Sequence, residues 1–222
     1  MDRSDGSAWE ERFAAFLAAN RGAEDAAHDA MHIRRVVANA RALAAAEGAD
    51  LAVVLPAAWL HDCMIVPKDS PERNMASRLA AAAAGDFLQS VAYPAVHIPA
   101  IRHAIEAHSF SARIAPRTLE AQVVQDADRL DALGAVGIAR TLMLGGAMGQ
   151  PLYDADEPFP ATRTADDREN VLDHFFVKLL ILSGTMRTRA GREEAERRTA
   201  FMRHYLAQLA EEIGVPAPSE VE

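Results

Sequence analysis

Asp50-Leu51-Ala52-Val53-Val54-Leu55-Pro56-Ala57-Ala58-Trp59-Leu60-His61-Asp62 runs an almost unbroken apolar stretch straight into an adjacent histidine and carboxylate. Read as structure, it is a buried helix from Leu51 to about Asp62, capped by Asp50, with Pro56 imposing a kink or a later start. Two polar groups at the end of such a helix are unusual, because burying them without partners is costly. Coordination of a cation removes that cost: neutral imidazole and carboxylate both suit first-row divalent ions, and neighbours at a helix end can converge on one. Taken alone, a His-Asp dipeptide is more often a surface or capping feature.

Outward from this segment, alanine, leucine, arginine and glutamate dominate while β-branched and aromatic residues are sparse, so helix propensity prevails almost everywhere. No stretch alternates polar and apolar residues long enough for a sheet, and the fold class expected is all-α. Upstream lie helices over 7–20 and about 25–47, the second with Met31, Val36, Ala40 and Leu43 at helical spacing and a stop at Gly48. Downstream, Val66-Pro67-Lys68-Asp69-Ser70-Pro71 must be a loop. Helices follow over about 71–90, from near Pro94 to His108, and from near Thr118 to before Gly134. Residues 145–170 are the longest candidate loop, a class that in compact domains is often functional. Two C-terminal helices, about 171–183 and 191–213, complete the chain. No interior stretch reads as a linker, so a single domain over 1–222 is expected, a helical bundle with the C-terminal helices of 171–213 packed on its core.

The 222 residues are half apolar and a quarter charged, the balance of a globular protein with a core of its own. A formal charge of -9 gives no general attraction to nucleic acid or to an anionic membrane, and neither is expected as a partner. An anionic substrate would need local help from a bound cation or a few basic side chains. The single cysteine, Cys63, excludes an intramolecular disulfide framework and makes a reducing compartment the default. The first residues do not read as a secretion signal and the apolar runs are far shorter than the ~20 residues a bilayer requires, so a cytoplasmic location is expected.

Two further strings carry chemistry-bearing residues on predicted helices. His32-Ile33-Arg34-Arg35-Val36 places a histidine in an apolar-periodic helix, where it would ordinarily be a core residue satisfied by a carbonyl. Gln125-Asp126-Ala127-Asp128-Arg129-Leu130-Asp131 crowds acids into two turns, ordinarily a solvated face or capping cluster. Together with Trp59-Leu60-His61-Asp62 they form an ordered series, His, then His-Asp, then Asp, on successive helices. In that order and with those flanks the chain resembles the HD-domain superfamily of metal-dependent phosphohydrolases.

The resemblance implies a helical bundle with the metal site at its centre, a site core over about 25–140, and His32, His61, Asp62 and Asp128 as ligands of one divalent ion. Asp126 and Asp131 are close neighbours of Asp128, which stands directly before the Arg-Leu string. The donor set accepts Mn, Mg, Co, Ni, Fe or Zn to differing degrees and does not choose among them. Such an ion would polarise a phosphoryl oxygen and acidify water, so no protein nucleophile is required. Some HD relatives hold a second metal through widely separated extra histidines; His103 and His108 stand five residues apart and depart from that pattern. His108 is therefore read as a group near the phosphate or a proton donor, and His103 as structural.

Other candidates surround these. His28 shares the face of His32 one turn earlier. Lys68 and Arg73 follow the ligand pair in the proline-rich loop, where long cations reach a phosphate, and Lys178 stands alone in an apolar string. These four are the substrate-binding candidates. Asp62, His108, Asp69 and Glu72 are the catalytic candidates for water activation and proton transfer. In related nucleotidases an acid lies a few residues after the HD pair, whereas here Cys63, Met64 and Ile65 follow. The Ala107-His108-Ser109-Phe110-Ser111-Ala112 segment and Asp173-His174-Phe175-Phe176-Val177-Lys178 resemble a bacterial branch whose members look like nucleotide phosphohydrolases or pyrophosphohydrolases. The expectation is hydrolysis of a small phosphorylated metabolite, a nucleoside triphosphate first. A cyclic or dinucleotide phosphodiesterase and a non-catalytic metal- or nucleotide-binding regulator are the alternatives. Oligomeric state stays open, a homo-oligomer included.

Overall fold

A computed structural model describes residues 3–20, 30–64, 66, 75–109 and 112–218. Among them there is no strand. The helices are α1 (Arg3–Asn20), α2 (Ala30–Glu47), α3 (Leu51–Leu60), α4 (Ala76–Ser90), α5 (Ile98–His108), α6 (Leu119–Leu130), α7 (Gly134–Ala147) and α8 (Arg189–Ile213). The all-α class therefore holds. Internal contacts divide the chain into two compact units, Met1–Asp128 and Arg129–Glu222.

In the first unit, α3 is packed by α1, α2 and α5, and α4 lies on α5. The reason is compositional: nearly every residue of α3 is apolar, so the helix is stable only where neighbours cover it on several sides. Asp50 caps it, its carboxylate accepting the Ala52 N–H at 2.8 Å. Pro56 sits inside the helix and removes the N–H that would have reached the Ala52 carbonyl. The Tyr93 hydroxyl donates to that carbonyl instead, at 2.7 Å, so the helix continues to Leu60 and delivers His61-Asp62. Helix α2 buries Ile33, Val36, Val37, Ala40, Leu43 and Ala44 along one stripe and ends where Gly48 takes φ +76°.

In the second unit α7 packs on α8, and Arg198 of α8 donates to the Leu130 carbonyl at 2.6 Å. Two features depart from expectation. Helix α7 falls on a glycine-studded stretch for which no helix is expected. Its glycines serve close approach: a Cβ at Gly137 would lie 2.1 Å from the Ala132 carbonyl oxygen, and one at Gly145 2.2 Å from Val171. The helix expected over 171–183 is instead a π-helical turn, Phe175–Leu179, followed by a 3-10 turn, Leu182–Thr185. Phe175, Leu179, Leu180 and Leu182 are buried as the apolar pattern requires, but Leu180 N–H reaches back five residues to Phe175 at 2.9 Å. Apolar spacing reports which side is buried and leaves the pitch open. Among the described residues no single helix is long and apolar enough to cross a membrane.

Candidate metal centre

Four elements of the first unit bring polar side chains together. His32 is on the first turns of α2, His61 and Asp62 follow the last residue of α3, His108 ends α5, and Asp128 is near the end of α6. His32, His61 and His108 are buried, and the two carboxylates are about a quarter exposed. His32 Nε2 lies 3.5 Å from Asp128 Oδ1, and His61 Nε2 lies 3.8 Å from the same oxygen and 3.7 Å from Asp62 Oδ2. The other oxygen of Asp62 faces His108 Nε2 at 3.6 Å. The ligand atoms of His32, His61 and Asp128 fall within 4.8 Å of one another, as do those of His61, Asp62 and His108.

Ring orientation is set locally. The Nδ1–H of His61 donates to the Ala58 carbonyl at 2.8 Å, and that of His108 to the Ile105 carbonyl at 2.6 Å, each three residues back. These carbonyls lie in the last turn before each histidine, so each ring folds back on its own helix and presents Nε2 to the cluster. His61 Nε2 is fully buried and has no hydrogen-bond partner among the described residues. Burial lowers its pKa from 6.5 to about 4 against the pull of Asp62, so the ring is neutral near pH 7 with a lone pair aimed into the cluster. At His108 burial also acts downward, but the facing Asp62 carboxylate and the Asp128 charge outweigh it and the pKa is raised.

The separations of 3.5–3.8 Å are too long for hydrogen bonds. They are what donors sharing one cation display, each bonded at roughly 2.0–2.2 Å. With an orphaned, buried imidazole nitrogen at the centre, the two-histidine, two-aspartate donor set fits a divalent ion.

Of the three acids near the end of α6, Asp128 is the one that faces the histidines. Asp131 Oδ2 is held by Arg140 at 2.5 Å, and Asp126 is fully buried. His103 has a structural contact, its Nε2 accepting the Arg117 N–H at 3.0 Å, which ties α5 to the segment leading into α6. His28, Lys68, Asp69, Glu72 and Arg73 lie outside the described residues. Lys178 is exposed on the π-helical turn of the second unit. That unit also holds two pairs that no sequence pattern singles out, Arg163 with Asp173 and His174 with Asp167, the latter at 2.8 Å. Their spacings of ten and seven residues in an irregular loop carry no periodic signal.

Fold and cluster together define a helical protein with a metal-type histidine–aspartate centre. A model of the HD domain matches residues 30–133. The uncharacterized protein YpgQ of Bacillus subtilis is 36% identical over 194 residues, 86% of this chain and 86% of its own length. The crystal structure of an HD-superfamily hydrolase from Bacillus thuringiensis superposes with a TM-score of 0.72 at 34% identity, covering 92% of this chain and 96% of that one. The structure of B. subtilis YpgQ in complex with ADP superposes with a TM-score of 0.69 at 34% identity, covering 91% and 93%. The chain belongs to the HD domain family.

Proposed function

We propose that the protein is a divalent-metal-dependent phosphohydrolase acting on a nucleotide or similar small phosphorylated metabolite, a nucleoside triphosphate in the first instance. The observation that carries this reading is the orphaned Nε2 of His61, set among Asp62, Asp128, His32 and His108 in the segment that matches the HD domain. The ADP held by B. subtilis YpgQ supports a nucleotide as the ligand.

His32, His61, Asp62 and Asp128 would hold the ion. When bound, it supplies Lewis acidity toward a phosphoryl oxygen and makes water acidic enough to attack near neutral pH. Asp62 has a second oxygen toward His108, and is the acceptor for the proton that the attacking water gives up. His108, whose Nε2 faces Asp62 at the edge of the cluster, would donate a proton to the leaving oxygen. Lys68, Arg73, Lys178 and His28 are the proposed phosphate and substrate contacts, and Asp69 and Glu72 the proposed reserve of proton-transfer groups. All ligands come from the ends or first turns of rigid helices, which suits a reaction whose catalysis is mostly positioning and charge stabilisation.

The test is phosphate and pyrophosphate release by metal-stripped protein given Mn, Mg, Co or Ni in turn with a panel of nucleotides. Metal-dependent turnover that disappears in His61→Ala is expected, and the product identifies the bond. Stoichiometric metal binding without turnover of any nucleotide would overturn the nucleotidase reading in favour of a phosphodiester substrate or a regulator.

A further inference from the structure

Helix α5 ends abruptly at His108, because Ser109 is extended at φ -72° and ψ 128°. Its last turn ends in carbonyls that side chains can reach where the helix stops. Two are taken by side chains: Ile105 by His108's own ring, and Ala107 by the Nε2 of Gln125, each at 2.6 Å. Because the acceptor is a carbonyl, the group that meets it must be the amide NH2, which leaves no ambiguity over which way the amide lies. Gln125 is 3% exposed, so water does not replace it cheaply. It stands on α6 three residues before Asp128, the spacing that puts two side chains on one side of a helix. The helix that carries Asp128 thus grips the residue directly before His108.

We propose that Gln125 is a positioning residue that sets where His108 stands against Asp62, acting through the Ala107 carbonyl. Neither its amide nor Ala107 belongs to the histidine–aspartate cluster, so the role is distinct from metal binding. A second amide works alongside it: Asn39 of α2 donates to the Ala127 carbonyl, the residue before Asp128, at 3.2 Å. Removing the donor at 125 leaves a buried carbonyl at a helix end whose last residue is the proton donor. The end then relaxes, and the His108 ring moves with it.

The decisive experiment uses the full chain as Gln125→Met, which keeps length and bulk but has no donor, and Gln125→Asn, which keeps the amide one methylene short. Ile101→Val, a buried change two turns earlier on α5, controls for lost packing. Ring-nitrogen NMR spectra of the metal-free protein, with His108 assigned through His108→Gln, should show the His108 signals shifted and broadened in both Gln125 variants and unchanged in Ile101→Val, with His61 signals in place throughout. With activating metal, kcat should fall roughly tenfold to hundredfold while metal affinity stays within about twofold. Unchanged His108 signals in a folded Gln125 variant, or a kcat loss no greater than that of Ile101→Val, would overturn the proposal. The kinetic arm rests on the hydrolase reading and the spectra do not. Absence of turnover in the unmodified protein would therefore sink that reading and leave the spectra to decide on Gln125.

Discussion

Arg163 and Asp173 close on each other with paired contacts of 2.5 and 2.6 Å, and the Asp166 N–H adds a third bond to the same carboxylate at 2.8 Å. His32, His61, Asp62, His108 and Asp128, in the other unit, stop at 3.5–3.8 Å and leave His61 Nε2 without a partner. Both sets bury ionisable groups, and burial without compensation is expensive in each. The first satisfies its own charges, as a structural pair does. The second is gathered from four helical segments and leaves the buried His61 Nε2 without a hydrogen-bond partner among the described residues, an arrangement that a cation between the donors would complete. Distance and the orphaned atom separate the two roles, where burial alone would not.

That contrast breaks most directly at its centre. His61→Ala should lower metal-dependent turnover at least about 100-fold, a larger loss than removing any group that merely orients a ligand. Full activity in that variant would end the comparison. On the other side, Asp173→Ala should cost about 2–3 kcal/mol in urea unfolding. It strands the Arg163 guanidinium, and the partial exposure of that group tempers the penalty of a fully buried pair. Metal affinity should be unaltered, and a large drop in it would show that the pair serves the site.

Metal addition sharpens the comparison from the other direction. At about one hundred times its Kd, an activating ion should stabilise the protein by about 2.7 kcal/mol, and a chelator should reverse the gain. His61→Ala should show little of this effect, and Asp173→Ala all of it.

The pH dependence of metal-free stability is a smaller effect with a definite sign. His61 titrates near pH 4 when folded and ordinarily at 6.5, so the unfolded chain takes up the proton first. Its contribution is complete above about 6.5 and is lost as pH falls toward 4, by at most about 1.4 kcal/mol per pH unit. His108 has a raised pKa, so its contribution is complete below its ordinary value and is lost as pH rises through the folded one. Urea midpoints should therefore fall on both sides of neutrality. His61→Asn should flatten the acid limb and His108→Gln the alkaline one, and a single limb untouched by either substitution would break the assignment. The smallest effect is expected at the exposed Lys178: Lys178→Ala should raise KM by less than about tenfold with kcat unchanged if that side chain meets a phosphate.

Much of the fold is legible in the sequence. Asp50 as a cap, the stop at Gly48, the end of α5 at His108 and the extent of α8 all follow from local rules, because caps, glycines and apolar periods act within a turn or two of themselves. Helix α7 was not legible, since its glycines lower helix propensity and are explained only by Ala132 and Val171 pressing against them. The π-helical turn at Phe175–Leu179 was equally hidden, because its apolar spacing suits an α-helix as well.

For the site, the residue types and their order along the chain pointed to metal coordination, and the structure gathers His32, His61, Asp62 and Asp128 with His108 into one cluster. Which acid of Asp126, Asp128 and Asp131 faces His32 and His61 is a matter of helix phase, and packing decided it by giving Asp131 to Arg140. The same holds for Tyr93 replacing the hydrogen bond that Pro56 removes, and for Gln125 closing the end of α5. The amino-acid sequence determined the all-α class, the helix ends marked by caps and glycines, and the order of histidines and aspartates along the chain, all of which act through near neighbours. Only the tertiary structure decided which buried groups satisfy one another and which are left waiting, because a hydrogen bond between residues far apart in sequence exists only once the helices have packed.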